Sequence, residues 1–134
     1  MKLPVTFQRY LEKFADKRLF VTSLDRRIAV VYPIVLWKQT KKFIESYSAD
    51  PRAAKNLAFT AADLGEETEM DSQARVLFSV DLRRELNMEL QPVHLYAFRG
   101  HINVFTQAVY EEDKRAATVD PVADLIKLEQ AGMM

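Results

Sequence analysis

The fold is organised around residues 69–86, EMDSQARVLFSVDLRREL. An acidic run stops at Asp71, a short polar turn follows, and the chain resumes at Arg75 with the apolar residues Val76–Phe78, which are predicted to form a strand. A basic amphipathic helix is predicted directly after that strand. Because Asp71 and Arg75 stand four residues apart between two extended segments, this stretch predicts a turn that presents a charged side chain.

The composition is that of an ordinary globular protein. The chain has 134 residues, of which 49% are hydrophobic and 28% charged, which suits one compact domain or two small repeats packed together. The sequence shows neither an apolar run of about 20 residues nor a signal peptide, so we expect a cytoplasmic protein. It has no cysteine and only two histidines, so no disulfide, metal or cofactor is expected.

The charge is unevenly distributed, although the formal net charge is zero. Residues 1–56 carry twelve Lys or Arg and five Asp or Glu, a net +7, whereas residues 57–134 carry seven and fourteen, a net −7. Two solvated surfaces of opposite sign would explain this split. Alternatively, the basic half of one copy contacts the acidic half of the next, which produces a ring when the rotation closes.

The first half of the chain predicts a strand, a helix, a hairpin and two further helices. In order, these are a strand that ends at residues 3–5, a helix with apolar residues at 7, 10, 11 and 14, a hairpin of Leu19–Leu24 and Ile28–Tyr32, and a helix over Ile34–Tyr47. Asp50 followed by Pro51 favours a helix start, and this helix is predicted to end near Phe59. Thr60–Met70 is predicted to be extended, with a bend or bulge at Gly65.

The second half predicts a similar order of elements. A hairpin joins Val93–Phe98 to Ile102–Phe105, a helix spans Thr106–Arg115, and a short helix begins at Pro121. A shift of 75 residues pairs position 3 with 78 and position 9 with 84, and a shift of 73 pairs position 37 with 110. The sequence therefore predicts two copies of one unit, over 1–56 and 57–117, followed by a helical tail at 118–134.

The repeated unit, a D-x-x-x-R turn followed by an apolar strand and a short helix, resembles the MraZ family of the AbrB/SpoVT-like superfamily. The matching segments are DSQAR at 71–75 with VLFSVDLRREL after it, KLPVTFQRYL at 2–11, and VVYPIVLW at 30–37 with its degenerate echo NVFTQAVY at 103–110. The resemblance implies an α+β fold in which two pseudo-repeats form a double-split, swapped-hairpin β-barrel that carries helices.

The resemblance also implies a function and partners. It implies a transcriptional regulator that forms a ring-shaped homo-oligomer and binds short direct repeats in double-stranded DNA, upstream of the division and cell-wall gene cluster. Such a protein would associate with the nucleoid, and would have no membrane partner and no small-molecule substrate. The sequence order contains no Ser-His-Asp arrangement and no Gly-rich phosphate loop, so an enzyme is not expected.

The DNA-binding residues that the resemblance implies are those of the turn: Asp71, Ser72, Gln73, Ala74 and Arg75. Arg83 and Arg84, which open the helix after it, are further DNA-binding candidates, although they could instead stay solvated. Arg75 can direct two N–H donors at a phosphate or at guanine, while Asp71 accepts hydrogen bonds that hold the loop in one shape. Ser72 and Gln73 can supply neutral hydrogen bonds, and the two arginines of the helix can reach phosphates.

Two departures from the family pattern stand out. Ala74 occupies the place where the family usually has Gly, so a left-handed backbone there would cost about 1 kcal/mol. The D-x-x-x-R motif of the first repeat would fall before Met1, so the first repeat is expected to lack it. The alternative function is therefore a structural or protein-interaction relative that assembles but has lost DNA readout.

Other charged residues have less specific interpretations. The Asp71–Arg75 pair could merely close a turn, although the repeat pattern favours the DNA interpretation. The basic residues Lys38, Lys41 and Lys42 fit a solvated helix face about as well as a phosphate contact. The acidic residues Asp63, Glu66, Glu67 and Glu69 could chelate a cation or face a neighbouring subunit, but a solvated edge strand protected against aggregation is favoured.

Overall fold

Six helices and five strands form an α+β fold in the computed structural model, which describes residues 1–134. The helices are α1 (Val5–Glu12), α2 (Ile34–Ser46), α3 (Pro51–Leu64), α4 (Val80–Glu85), α5 (Gln107–Ala117) and α6 (Pro121–Gln130), with a 3₁₀ turn at Met88–Leu90. The strands are β1 (Arg18–Thr22), β2 (Ala29–Pro33), β3 (Glu66–Glu69), β4 (Val93–Phe98) and β5 (His101–Thr106). The predicted α+β class and both predicted hairpins are confirmed.

One antiparallel sheet contains all five strands, in the order β3-β1-β2-β5-β4. The hairpin β1–β2 comes from the first half of the chain and the hairpin β4–β5 from the second. The two hairpins join where β2 pairs with β5, with Val31 opposite Ile102. Strand β3 returns to pair with β1, so that Leu19 lies opposite Thr68. The sheet therefore ends in β3 on one side and in β4 on the other.

Side chains alternate between the two faces of the central strands, as a period of two residues requires. Val31 belongs to a cluster of fourteen buried residues, together with core residues such as Leu3, Leu82 and Val104. Its neighbours Val30 and Tyr32 belong to a second cluster with Trp37 of α2 and Ala61 of α3. Strand β2 is thus buried on both faces, which explains its continuous apolar sequence AVVYP.

Local capping chemistry starts four of the helices, including α5, where the Thr106 hydroxyl accepts a hydrogen bond from the N–H of Val109. The Asp50 carboxylate accepts a hydrogen bond from the backbone N–H of Ala53, and Pro51 takes the first helical position, as the sequence predicts. The Ser79 hydroxyl accepts from the N–H of Leu82 at the start of α4. Asp120 and Pro121 repeat the Asp-Pro start at α6. None of the helices has the length and hydropathy that crossing a bilayer requires.

The prediction that Thr60–Leu64 is extended is wrong, because α3 continues to Leu64. Ala61 and Leu64 are buried, and the Thr22 hydroxyl donates a hydrogen bond of 2.8 Å to the carbonyl of Ala61, so contacts with β1 sustain the last turn. The prediction of a bend or bulge at Gly65 inside one extended segment is also wrong, because Gly65 lies between α3 and β3. Gly65 ends the helix, and a Cβ there would clash with the Phe20 ring and with the backbone carbonyl of Ala61, so the packing at this position requires glycine.

The prediction of a strand at Val76–Phe78 is wrong as well. Val76 and Phe78 are buried, but this segment belongs to no ladder beyond a single bridge between Lys2 and Arg75. Around that bridge, the N–H of Leu3 donates to the carbonyl of Ala74 at 2.9 Å, and the N–H of Val76 donates to the carbonyl of Met1 at 2.7 Å. The first residues of the chain therefore lie directly beside residues 74–76.

Candidate nucleic-acid interface

Residues 71–75, called the Asp–Arg loop below, are closed by Asp71. One carboxylate oxygen, Oδ1, accepts hydrogen bonds from the backbone N–H groups of Gln73 at 2.8 Å and Arg75 at 2.9 Å. The backbone N–H of Asp71 donates to the carbonyl of Arg75 at 2.9 Å, and the N–H of Ala74 donates to the carbonyl of Asp71 at 3.0 Å. These bonds fix the backbone of the loop without help from a ligand.

The side chain of Arg75 is anchored at one atom and free at the others. Its Nε donates to Oδ2 of Asp71 at 3.0 Å, and the side chain is 55% exposed. The two terminal amino groups make no hydrogen bond within the chain, so four N–H donors face solvent. The guanidinium plane is thus oriented by Asp71 while its terminal donors stay available to a phosphate or a base edge.

Ala74 adopts the left-handed backbone conformation, with φ of 61°. A residue with a Cβ is strained in this region, where glycine is not. The strained residue is therefore the one that replaces the Gly that the MraZ pattern usually has at this place. The hydrogen bonds around Asp71 compensate for it.

Replacement of Ala74 by Gly is expected to stabilise the protein. Relief of the left-handed strain outweighs the greater freedom of glycine in the unfolded chain, so the free energy of unfolding should rise by about 0.5–1 kcal/mol. Chemical denaturation measures this change. Ala58→Gly, on an exposed helical position of α3, is the matched control and should lower the stability by a similar amount. A loss of stability in Ala74→Gly would contradict the strain.

Hydrogen bonding lowers the pKa of Asp71 below its ordinary value. The backbone N–H of Arg75 makes the largest favourable contribution, followed by the N–H of Gln73 and the Arg75 guanidinium. A carboxyl group whose pKa is lowered in the folded state stabilises that state above its unfolded pKa, which is about 3.9. This stabilisation is lost as the pH falls through the lower folded value.

The Asp–Arg loop is therefore expected to be ordered at neutral pH and to loosen below about pH 4. Amide exchange of Gln73 and Arg75, whose N–H groups bond to the carboxylate, measures this transition. In Asp71→Asn the same amides should exchange faster at neutral pH and should show no further acid transition. An unchanged acid transition in Asp71→Asn would assign the effect to another group.

Ser72 and Gln73 are exposed and line a shallow cavity beside the first residues of the chain. The other lining residues include Lys2, Pro4 and Gln8. Lys2 is exposed, and its bridge to Arg75 brings a second positive charge to the Asp–Arg loop. Lys2 was not among the residues predicted to bind DNA. The usable signal was the 75-residue repeat, which aligns the first residues of the chain with the segment that follows Arg75.

The structure does not connect the two arginines of α4 to the Asp–Arg loop. Arg83 is half-buried and pairs with Glu89 at 3.1 Å, and its Nε is buried without a hydrogen-bond partner. Arg84 is exposed and lines a second cavity that also contains Arg26, Asp63 and Glu85. Of the seven predicted DNA-binding residues, the five of the Asp–Arg loop therefore lie together, and Arg83 and Arg84 lie apart from them.

The other charged residues take solvated positions. Lys38, Lys41 and Lys42 are exposed on α2. Strand β3, which carries the acidic residues Glu66, Glu67 and Glu69, lies at a sheet edge, so the favoured interpretation as an edge strand is confirmed. Asp63 pairs with Arg26 at 3.1 Å, and Glu67 pairs with Arg18 at 3.2 Å. No three acidic or histidine side chains are arranged to hold a metal ion.

Comparison with known proteins finds relatives that share one name. No protein-family profile matches the chain. It is 24% identical over 113 residues to the "Transcriptional regulator MraZ" of Acidobacterium capsulatum, which covers 84% of this chain and 77% of that protein. It is 31% identical over 97 residues to proteins with the same name from two strains of Acidithiobacillus ferrooxidans.

The match to the Acidithiobacillus proteins covers 67% of this chain and 64% of theirs, so it spans less than two thirds of those relatives. All three names agree with the resemblance that the D-x-x-x-R unit indicates. These matches support the assignment of the chain to the MraZ family.

Proposed function

We propose that this chain is a sequence-specific DNA-binding transcriptional regulator, not an enzyme, and that it contacts DNA through the Asp–Arg loop. The observation that carries the proposal is the state of Arg75, which is held at Nε by Asp71 and is free at both terminal amino groups. The relatives from Acidobacterium capsulatum and Acidithiobacillus ferrooxidans are named as transcriptional regulators, which supports the regulatory role.

The geometry of the loop suits recognition of a duplex. A guanidinium can donate two parallel hydrogen bonds to O6 and N7 of guanine or to two oxygens of a phosphate. Because Asp71 already orders the loop, little conformational entropy remains to be lost on binding. Ser72, Gln73 and Lys2 are exposed beside Arg75 and can supply phosphate contacts that set the register. Arg84 is a more distant candidate for a phosphate contact.

We further propose that several copies act together as a ring-shaped homo-oligomer on short direct repeats, upstream of the division and cell-wall gene cluster and at the nucleoid. One loop offers few contacts, so useful affinity requires several loops on one DNA molecule. The +7 and −7 halves of the chain support head-to-tail association. In this proposal the two hairpins that meet at β2 and β5 are the pseudo-repeats of a double-split barrel.

A second candidate is a structural or protein-interaction member of the family that assembles without reading DNA. The zero net charge favours it, because DNA-binding domains usually carry a basic excess. Several basic side chains are also neutralised within the chain, among them Arg27, which pairs with Glu112 and Asp113.

A gel-shift titration separates the two candidates. The regulator should bind a duplex with short direct repeats more tightly than a scrambled duplex of equal length. Its affinity should fall with salt by about 0.9 logarithmic units per tenfold increase for each phosphate neutralised. Sedimentation velocity in the same buffer reports the assembly. A ring that binds neither duplex would favour the structural candidate, and equal affinity for both duplexes would contradict sequence specificity.

A further inference from the structure

The two edges of the sheet differ in their protection. The β3 edge has the sequence EETE, in which three carboxylates discourage pairing with another strand. The β4 edge has the sequence VHLYAF, which carries no acidic or basic residue other than a histidine and no proline. Tyr96 and Phe98 on this strand are 55% and 43% exposed. Strand β4 therefore offers an unpaired, apolar backbone edge that the common protective devices do not cover.

Strand β1 of the first hairpin corresponds to β4, but its outer edge is paired with another strand. Strand β1 is paired on both sides, by β2 and β3, and its core residues Leu19 and Val21 are 3% and 1% exposed. On β4, which has only β5 as a neighbour, Val93 and Leu95 face the same core cluster but are only partly buried. An additional strand beside β4 would complete their burial, as β3 does for β1.

The tips of the two hairpins also correspond. Arg26 and Arg99 both have left-handed backbones, with φ of 57° and 51°. Arg26 pairs with Asp63 at 3.1 Å, just before β3, and with Glu85 at 3.2 Å. Arg99 has no carboxylate partner in the chain and lies 5.0 Å above the ring of Phe98. Arg99 thus lacks a carboxylate partner equivalent to the Asp63 that pairs with Arg26.

A positively charged cavity of about 500 Å³ lies at the Arg99 tip. Its walls include two exposed cations, Arg9 of α1 and Lys13 just after it, neither of which pairs with a carboxylate, together with Phe7 and Phe98. The hydroxyl of Tyr10 donates to the carbonyl of Gly100 at 2.8 Å and fixes α1 against the hairpin. The equivalent cavity at Arg26 contains three carboxylates, those of Asp63, Asp81 and Glu85.

We propose that the β4 edge and the Arg99 cavity together bind an extended acidic peptide segment of another polypeptide. The segment adds antiparallel to β4 as β3 adds to β1, and one of its carboxylates reaches Arg99 as Asp63 reaches Arg26. Backbone hydrogen bonds to the edge provide affinity, and the charge-assisted bonds to Arg99, Arg9 and Lys13 select an acidic sequence. This activity is separate from DNA binding by the Asp–Arg loop.

Residues 60–70 of the chain, TAADLGEETEM, provide a probe because Glu66–Glu69 pair with β1 and Asp63, in the last turn of α3, pairs with Arg26. A fluorescently labelled peptide of this sequence should bind the full chain saturably, as measured by anisotropy. A peptide with Asp63→Asn should bind about tenfold more weakly, because a charge-assisted hydrogen bond is lost. The protein variant Arg99→Gln should weaken binding to the same extent, whereas Arg115→Gln, an exposed arginine on α5, should not.

Hydrogen exchange locates the peptide. Its addition should slow exchange of amides in Val93–Phe98, and Arg75→Ala should bind it normally, which separates this result from the DNA proposal. Equal binding by Arg99→Gln, or unchanged exchange in β4, would overturn the proposal. It would also be overturned if DNA displaced the peptide, since the cavity would then be a phosphate site. A last outcome is that Arg99→Gln disrupts the homo-oligomer while the peptide has no effect on it. The segment bound at the β4 edge would then belong to a second copy of this chain, and the proposal would be wrong.

Discussion

Arg75→Ala is expected to weaken binding to a direct-repeat duplex by about 5- to 150-fold, which corresponds to the roughly 1–3 kcal/mol of a bidentate arginine contact. The variant removes the only guanidinium of the Asp–Arg loop but leaves the carbonyl and N–H groups of residue 75, which close the loop through Asp71. It also leaves the backbone bonds of Ala74 and Val76 to the first residues of the chain. The fold and the assembly should therefore be unchanged. A gel-shift titration at constant salt measures the loss.

Two further variants test whether the loss of affinity comes from a specific contact of Arg75 or only from the loss of one positive charge. Arg115→Ala removes an exposed arginine from α5 and has the same effect on net charge, so it should bind almost normally. Arg75→Lys keeps the charge but cannot donate two parallel hydrogen bonds, so it should keep the salt dependence and lose discrimination against the scrambled duplex. If Arg75→Ala bound as tightly as the unchanged protein, Arg75 would not be a DNA contact.

Leu3→Ala is expected to lower the free energy of unfolding by about 3 kcal/mol, within the range for a buried leucine that leaves a cavity. Leu3 is 1% exposed and belongs to the large core cluster, although it lies in an irregular segment three residues from the start of the sequence. Chemical denaturation monitored by the fluorescence of Trp37 measures the change. Amide exchange of Arg75 should rise in parallel, because Leu3 also bonds to Ala74.

Val5→Ala is the matched control for this prediction. Val5 lies two residues further along but is 56% exposed, so its truncation should cost less than about 0.5 kcal/mol. Equal effects of the two variants would show that the first residues are not packed as the structure describes. A large effect of Leu3→Ala alone would establish that the segment beside the Asp–Arg loop is part of the core.

Features that depend on residues close together in the sequence could be predicted from the sequence. Asp50-Pro51 starts a helix because a carboxylate and a fixed φ act within one turn. The Asp–Arg loop was predictable for the same reason, since all of its closing hydrogen bonds join residues at most four apart. The hairpins followed from β-branched runs separated by short polar turns.

Features set by distant contacts were not predictable from one sequence. The last turn of α3 owes its stability to β1, through Thr22 and the Phe20 ring beside Gly65. Val76–Phe78 has the composition of a strand, but no strand lies beside it to complete a ladder. Arg83 looked like a free cation in the sequence, and its pairing with Glu89 depends on the 3₁₀ turn after α4. In each case tertiary packing decided the outcome over local preference.

The hydrogen bonds between Met1–Leu3 and Ala74–Val76 have a kinetic consequence. They join residues more than 70 positions apart, so the chain must close a long loop before they form. Contacts of such high sequence separation slow folding and are acquired late. During synthesis, the first residues must wait until the ribosome has released residue 76. The β1–β2 hairpin and α2 can form earlier, and we expect refolding experiments to show their signals ahead of protection at Val76.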